Sequence, residues 1–284
     1  MTSHILVVLA LSCALFAVPA SAQSTAAPPA GAPQGGSAGP PPGPKYGDWW
    51  LVNAREVTPR PAEWLLHLEG TGSIANQTGS VSGYQHQINV LSALRKRLVT
   101  NQAGLTLTIQ EARVENEGDF KQTTARFFDL VYVNVSKTWN VVSAAILEKD
   151  EPKRVHKRWS VFEGVSRNLT LPKGRHFSLA AAGGYESELV EGEHGPETEQ
   201  SPTVYAQNTF DTPVANRGLF THHLELFYDL KDTNDFRVNW NVGLNMQLTP
   251  HFGMGPSFQV RYDNKPVSQI QTTDTMAVFG FTFK

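Results

Sequence analysis

Cysteine is nearly missing: Cys13 is the only one in 284 residues, and it lies in an apolar N-terminal run. A mature chain without that run has neither disulfides nor thiol chemistry. Past that run, no apolar stretch approaches the roughly 20 residues of a transmembrane helix. This does not exclude a membrane protein built from strands, whose lipid face uses only alternate residues. Charge is almost balanced, at a formal net of −2. With no basic stripe and no nucleic-acid module, the composition argues against a nucleic-acid partner.

Catalytic motifs are scarce as well. His222 and His223 are adjacent, so in a strand they point to opposite faces and cannot share a metal. His156, His176, His194 and His251 fall in or beside expected turns without ligand spacing. Gly183-Gly184 lacks the strand-to-helix context of a phosphate loop and reads as a close-packed or bent strand. Glu191, Glu193, Glu197 and Glu199 read as a solvated acidic loop, because their spacing fixes no coordination shell. No catalytic residue, cofactor or metal site is expected.

What the chain does have is alternation. From Phe236 to Leu248 large apolar residues occupy every second position, with arginine, asparagine, glycine and glutamine between them. Period two is the signature of a strand with one apolar and one polar face. After Thr249-Pro250-His251 the pattern restarts and runs to Asp263. Twelve such segments can be cut: 64–74, 82–99, 104–116, 123–136, 139–149, 156–170, 175–190, 203–211, 218–230, 236–248, 252–263 and 274–283. The connections alternate between short and long, with Glu191 to Pro202 the longest and Thr212 to Arg217 an exception of medium length. Long strands, alternating loop lengths and an even count fit an antiparallel transmembrane β-barrel of about twelve strands with short periplasmic turns. A secreted β-sandwich also alternates. Against it stands the closing strand, where Phe279, Phe281 and Phe283 put aromatic mass on one face.

The N-terminus has three parts. Residues 1–22 read as a cleaved export signal: Ile5 to Val18 is apolar or small, and Ala20 and Ala22 fit a peptidase site, although the start lacks the usual lysine or arginine. Residues 23–44 are almost all Ala, Pro, Gly, Ser and Gln, the composition of a disordered tether. Residues 45–61 carry Trp49 and Trp50 and are expected at the periplasmic membrane interface or in the lower lumen. Residues 62–284 form the barrel. A bacterial outer-membrane location follows, with outer-membrane lipid and the barrel assembly machinery as partners.

Three runs near the end carry a resemblance: Leu248-Thr249-Pro250-His251-Phe252, Val260 to Pro266, and Thr273-Asp274-Thr275 before an aromatic terminus. Together they resemble the C-terminal part of the YdiY-like, salt-stress-induced outer-membrane proteins of bacteria, a family whose domain is of unknown function. The resemblance implies a location and a possible link to salt or envelope stress, and it assigns no site residue. Three functions stay open: a structural or envelope-stress barrel that passes little or nothing, a narrow porin-like channel for small solutes, and an outer-membrane lipid-modifying enzyme.

Register yields one candidate site. A turn centred on Thr233 sets Asp229 opposite Arg237, and a turn centred on Pro250 sets Arg237 opposite Asp263 and Asn239 opposite Arg261. Asp229, Arg237, Arg261 and Asp263 then form a charge cluster in the lumen. The same register pairs Val238 with Tyr262 and Trp240 with Val260 on the lipid face. The mature chain is expected to fractionate with outer membranes and to migrate differently on a gel before and after boiling, because a closed hydrogen-bonded barrel resists detergent; recovery as a soluble periplasmic protein would refute this.

Overall fold

In a computed structural model, the structure describes residues 60–78, 83–114, 118–192, 195–215, 217–249, 251–266 and 271–283. The expected export signal, the tether, Trp49 and Trp50, and the turn residue Pro250 lie outside them.

The described residues form a closed antiparallel barrel of twelve strands. They are β1 (Leu65–Thr78), β2 (Gly83–Lys96), β3 (Val99–Val114), β4 (Gly118–Asn134), β5 (Trp139–Asp150) and β6 (Val155–Leu171), then β7 (Arg175–Gly192), β8 (Gly195–Val214), β9 (Gly218–Asp229), β10 (Phe236–Thr249), β11 (Phe252–Asp263) and β12 (Thr273–Phe283). Each strand pairs with its neighbours in sequence, and β1 pairs with β12 from Gly70 opposite Phe283 to Thr78 opposite Thr275, which closes the ring. Among the described residues no strand is left as an open edge of the sheet, the arrangement a hydrocarbon surround demands; only strand ends, such as Gly195–Pro202 of β8, run past one neighbour.

Alternation decides which face is which. Leu66, Ile74, Ile88, Leu105, Trp240, Phe258, Phe279 and Phe283 are exposed on the outer wall. Inward positions such as Gln85, Ser160, Ser178, Gln207 and Glu225 are buried. The apolar band is outside and the polar residues are inside, the inverse of a soluble domain.

Several connections are shorter than their sequences imply. Glu191 to Pro202 is not a loop. The β7–β8 ladder runs on to Gly192 opposite Gly195, so Glu191, Glu197 and Glu199 sit on a paired hairpin, while Glu193 lies outside the described residues. Backbone pairing propagates past the polar residues that mark a turn by composition, and Pro196 is tolerated near the hairpin tip. The β8–β9 ladder likewise extends to Val214 opposite Gly218, with Ala215 in a left-handed conformation at φ 53. The links on both sides of β8 are therefore short, so the alternation of loop lengths expected from the sequence does not hold there.

The β10–β11 register is as the alternation requires: Arg237 opposite Asp263, Val238 opposite Tyr262, Asn239 opposite Arg261 and Trp240 opposite Val260. The β9–β10 register is shifted by two residues from expectation. Phe227, not Asp229, lies opposite Arg237. The cause is the turn: the Asp229 carboxylate accepts the Lys231 and Asp232 N–H groups at 2.6 and 3.3 Å, and the Asp229 N–H donates to the Asp235 carbonyl at 3.0 Å, which centres the turn earlier. A shift of two keeps the faces intact. With Cys13 replaced by serine, the pair Arg237→Cys and Asp263→Cys is expected to crosslink under mild oxidation, while the pair Asp229→Cys and Arg237→Cys stays reduced; the reverse outcome, read on a non-reducing gel, would refute this register.

Candidate functional site

The lumen is filled in layers. At the end of the barrel near the β2–β3 and β4–β5 turns, Arg95 donates to Asn134, Asn134 to Asn140, and Asn140 to Ser166, all buried. The next layer is aromatic: Phe162 stacks on Tyr205 at 5.3 Å between ring centroids, and Phe227 lies 5.0 Å from Tyr205. Ala144, Ile146 and Ala182 pack against them. Large rings fit because Gly184 faces Phe162: a Cβ at that position would lie 2.5 Å from Phe162 Cδ1. The glycine pair at 183–184 is thus a packing device, and only Gly184 approaches another group closely.

Above the rings lies a belt of ion pairs. Arg158 on β6 meets Glu148 at 3.2 Å and also Glu188. Arg237 on β10 reaches Glu186 at 2.5 Å and Glu188 at 3.3 Å, both on β7, and lies over the Phe227 ring at 5.2 Å. Ser160 donates to Glu186 at 2.7 Å. Arg126 on β4 crosses to Glu225 on β9 with two contacts of 3.0 Å. Glu225 also accepts from Tyr205 at 3.1 Å and Asn239 at 3.3 Å. Most of each charged group is shielded from bulk water, and a buried charge without a partner costs several kcal/mol on the order of its desolvation. The belt is therefore a mutually dependent set.

One connection folds into the mouth of the lumen. Between β5 and β6, Glu151–Lys153 form a single 3-10 turn, capped by the Asp150 carboxylate accepting the Lys153 N–H at 3.3 Å, and Arg154 is left-handed at φ 57. Register shifts on both sides, at Glu148/Asp150 and at Val155/Lys157, let the hairpin end bend. Arg261 on β11 pairs with Asp150 on β5, and Lys153 Nζ lies 3.5 Å from Asp274 on β12. In a ring of twelve, β5 and β11 are diametrically opposite. The pair spans the lumen. Burial pushes the Lys153 ammonium below its ordinary value despite the nearby carboxylates.

Outside the belt is an open vestibule of about 930 Å³, lined by Glu186, Glu188, Glu197, Glu199, Asp229, Asp232, Asp235 and Asp263 against Arg154, Arg158, Lys231, Arg237 and Lys265. Acidic groups predominate. Burial, reinforced by Asp263, Asp229 and Glu188 against the opposing effect of Arg237, raises the Asp235 carboxyl to about 6.

The four residues singled out by register all face this interior, but they pair differently from expectation. Arg237 binds Glu186 and Glu188 rather than Asp229 and Asp263. Asp229 caps a turn, Asp263 accepts the Lys265 N–H at 3.1 Å, and Arg261 crosses to Asp150. Glu148, Arg158, Glu186 and Glu188 were missed. Their inward parity was readable from alternation, and register on β5, β6 and β7 sets Glu148 and Glu188 directly opposite Arg158; only the reach of Arg237 to Glu186 and Glu188, three strands away, lies beyond neighbouring-strand register. His223 is on the lumen side, 3.5 Å from Glu225, and His222 meets Trp240 edge-on at 6.3 Å on the outer wall, so the two do point apart.

Residues 88–284 match the family described as protein of unknown function, DUF481. The chain belongs to that family. No curated protein matches it in sequence. Among solved structures, this DUF481 barrel is similar to the NanC porin, at 10% identity over 77% of this chain and 100% of that one, with a TM-score of 0.55. It is also similar to an outer-membrane channel of Pseudomonas putida F1, at 10% identity over 80% and 98% of the two chains, with a TM-score of 0.48. At such identity the likeness to the porin is one of fold.

Asp235 gives the DUF481 barrel a pH dependence of known sign. Its folded value of about 6 exceeds the ordinary 3.8, so its stabilising effect is complete below the unfolded value and is lost as pH rises through the folded one. Asp235→Asn is expected to flatten the fall in thermal stability between about pH 4 and 6 and to raise stability at pH 7. An unchanged slope, measured by the temperature at which the unboiled band shifts, would refute this.

Proposed function

We propose that this protein is a bacterial outer-membrane barrel whose lumen is closed at rest, an envelope component that passes little or nothing rather than an open porin or an enzyme. The observation that carries this reading is the ion pair across the diameter of the mouth, Arg261 with Asp150, above a second crossing from Arg126 to Glu225 and a floor of packed rings. Twelve strands fall between small barrels filled by side chains and porins with an aqueous lumen. Here side chains from both walls meet. An exposed apolar outer band supports contact with outer-membrane lipid. An export signal at residues 1–22 and insertion by the barrel assembly machinery complete this reading. The YdiY-like resemblance of the C-terminal runs supports a role under salt or envelope stress, when a wall that does not leak is of use.

A narrow channel is the second reading, favoured by one feature: the vestibule of about 930 Å³ opens to the outside and ends on charged groups rather than on a hydrophobic core. Bilayer recording separates the two. The purified, heat-modifiable barrel is expected to show no steady conductance, and Asp150→Asn combined with Arg261→Gln is expected to produce discrete openings. Stable wild-type conductance would overturn the closed reading in favour of the channel, and release of fatty acid from outer-membrane lipid by the purified protein would favour an enzyme.

A further inference from the structure

The inner wall is not filled all round. On β6 and β7 the inward positions of the lower lumen are closed off: Phe162 is 2% exposed, and Ser166 and Ser178 are fully buried. On β9 to β11 they are not. His223 has the inward parity of Glu225, in the middle of β9, yet 42% of its side chain is exposed. An inward side chain so far from both strand ends meets water only through the lumen. Asn241 lies opposite His223, Gln259 opposite Asn241, and Ser257 opposite Gly243 one inward step further from the mouth. These four neighbours are partly exposed, and Gln247, further along β10, is exposed. The aromatic floor does not reach this wall: the nearest atoms to a Cβ at Gly243 would belong to Thr221, Ser257 and Pro256, and at Gly280 to Ser73, Thr71 and Gly72, all on adjoining strands.

We infer that this side of the lumen is a water-filled crevice and the solute path of the barrel, that it carries small uncharged polar molecules such as polyols, and that the Arg261–Asp150 pair across the mouth is its gate. The inference rests on the closed reading of the mouth. Two observations distinguish the crevice from a packing defect. First, among the described residues Asn241, Ser257 and Gln259 have no side-chain hydrogen-bond partner. A polar group inside a barrel without a protein partner is costly unless water or a solute supplies the bond, and two amides and a hydroxyl around one space offer both donors and acceptors. Second, from Asn239, Gln259 and Met276 away from the mouth, the inward positions of β10, β11 and β12 carry no charged side chain among the described residues. An ion there finds no fixed charge to replace its hydration, whereas a polyol exchanges water for amide and hydroxyl bonds at little cost. Small ions pass with the water once the gate is displaced, but the lining favours neither sign. The gate stands on the same wall: Arg261 is one inward step nearer the mouth than Gln259, and its pairing with Asp150 carries it across the lumen. Displacing that pair joins the crevice to the vestibule.

Single cysteines in a chain whose Cys13 is replaced by serine test the lining, with a small water-soluble methanethiosulfonate as the probe and mass spectrometry as the readout. In the detergent-solubilised barrel, Asn241→Cys and Ser257→Cys are expected to be modified about tenfold faster than Ser166→Cys and Ser178→Cys, because thiol reactivity follows access to water. Each variant must keep the heat-dependent gel shift, which separates an open crevice from a lost barrel. Equal rates on the two walls, whether fast or slow, overturn the crevice. Osmotic swelling of phospholipid liposomes in erythritol tests the path. Asp150→Asn combined with Arg261→Gln is expected to swell several-fold faster than the wild type, and Ser257→Phe added to that pair is expected to return swelling to the wild-type rate. Swelling that the double variant does not raise, or that Ser257→Phe leaves unchanged, overturns the path. The two readings fail separately: rapid wild-type swelling with the expected cysteine pattern defeats the closed mouth and its gate but keeps the crevice, whereas a wild type that does not swell, with slow modification at 241 and 257, defeats the crevice and keeps the closed mouth.

Discussion

Closure of the backbone ladder is the constraint on which the rest of this structure depends. Where β1 meets β12 the sheet loses its last free edge, so every strand can present an apolar face outward without exposing unpaired N–H and C=O groups to an apolar surround. An open sheet of the same sequence would have two such edges. The alternation along β10 and β11 has meaning only within this ring, because closure turns one face of each strand into wall and the other into lumen.

Closure also creates the electrostatic problem that the lumen resolves. Polar inward positions of a narrow barrel are forced together out of bulk water, where an isolated charge is far more costly than at a surface. The arginines at 126, 158, 237 and 261 each meet a carboxylate, and Glu225 and Glu186 take further hydrogen bonds from Tyr205 and Ser160. Several of these pairs join strands that are not neighbours, so they brace the wall across its width while occupying the space a solute would need. Packing and electrostatics act together here: the small Gly184 admits the Phe162 ring, and the rings form the floor beneath the belt.

The outer wall is not uniform. β10, β11 and β12 carry Trp240, Phe258, Phe279 and Phe281, whereas β3 to β7 interrupt their valines and leucines with Asn101, Asp129, Ser143 and Glu163. The two halves of one cylinder thus differ in what can lie against them.

Much of the fold was legible in the sequence, for a local reason. Side-chain parity is a property of consecutive residues, so all twelve strands were expected close to where they lie, and the β10–β11 register followed from a single turn between two regular runs. Turns were less legible, because backbone pairing extended β7 and β8 through glutamates and a proline, and an aspartate cap moved the turn before β10. The candidate site was legible only in part. Parity alone put Asp229, Arg237, Arg261 and Asp263 inside, and it did the same for Glu148, Arg158, Glu186 and Glu188 without distinguishing them. Neighbouring-strand register already sets Glu148 and Glu188 opposite Arg158, but which carboxylates Arg126, Arg237 and Arg261 meet was decided by the tertiary structure, since it depends on the diameter and stagger of the closed ring. Alternation determined the wall; closure, which acts between strands far apart in the chain, determined what fills it.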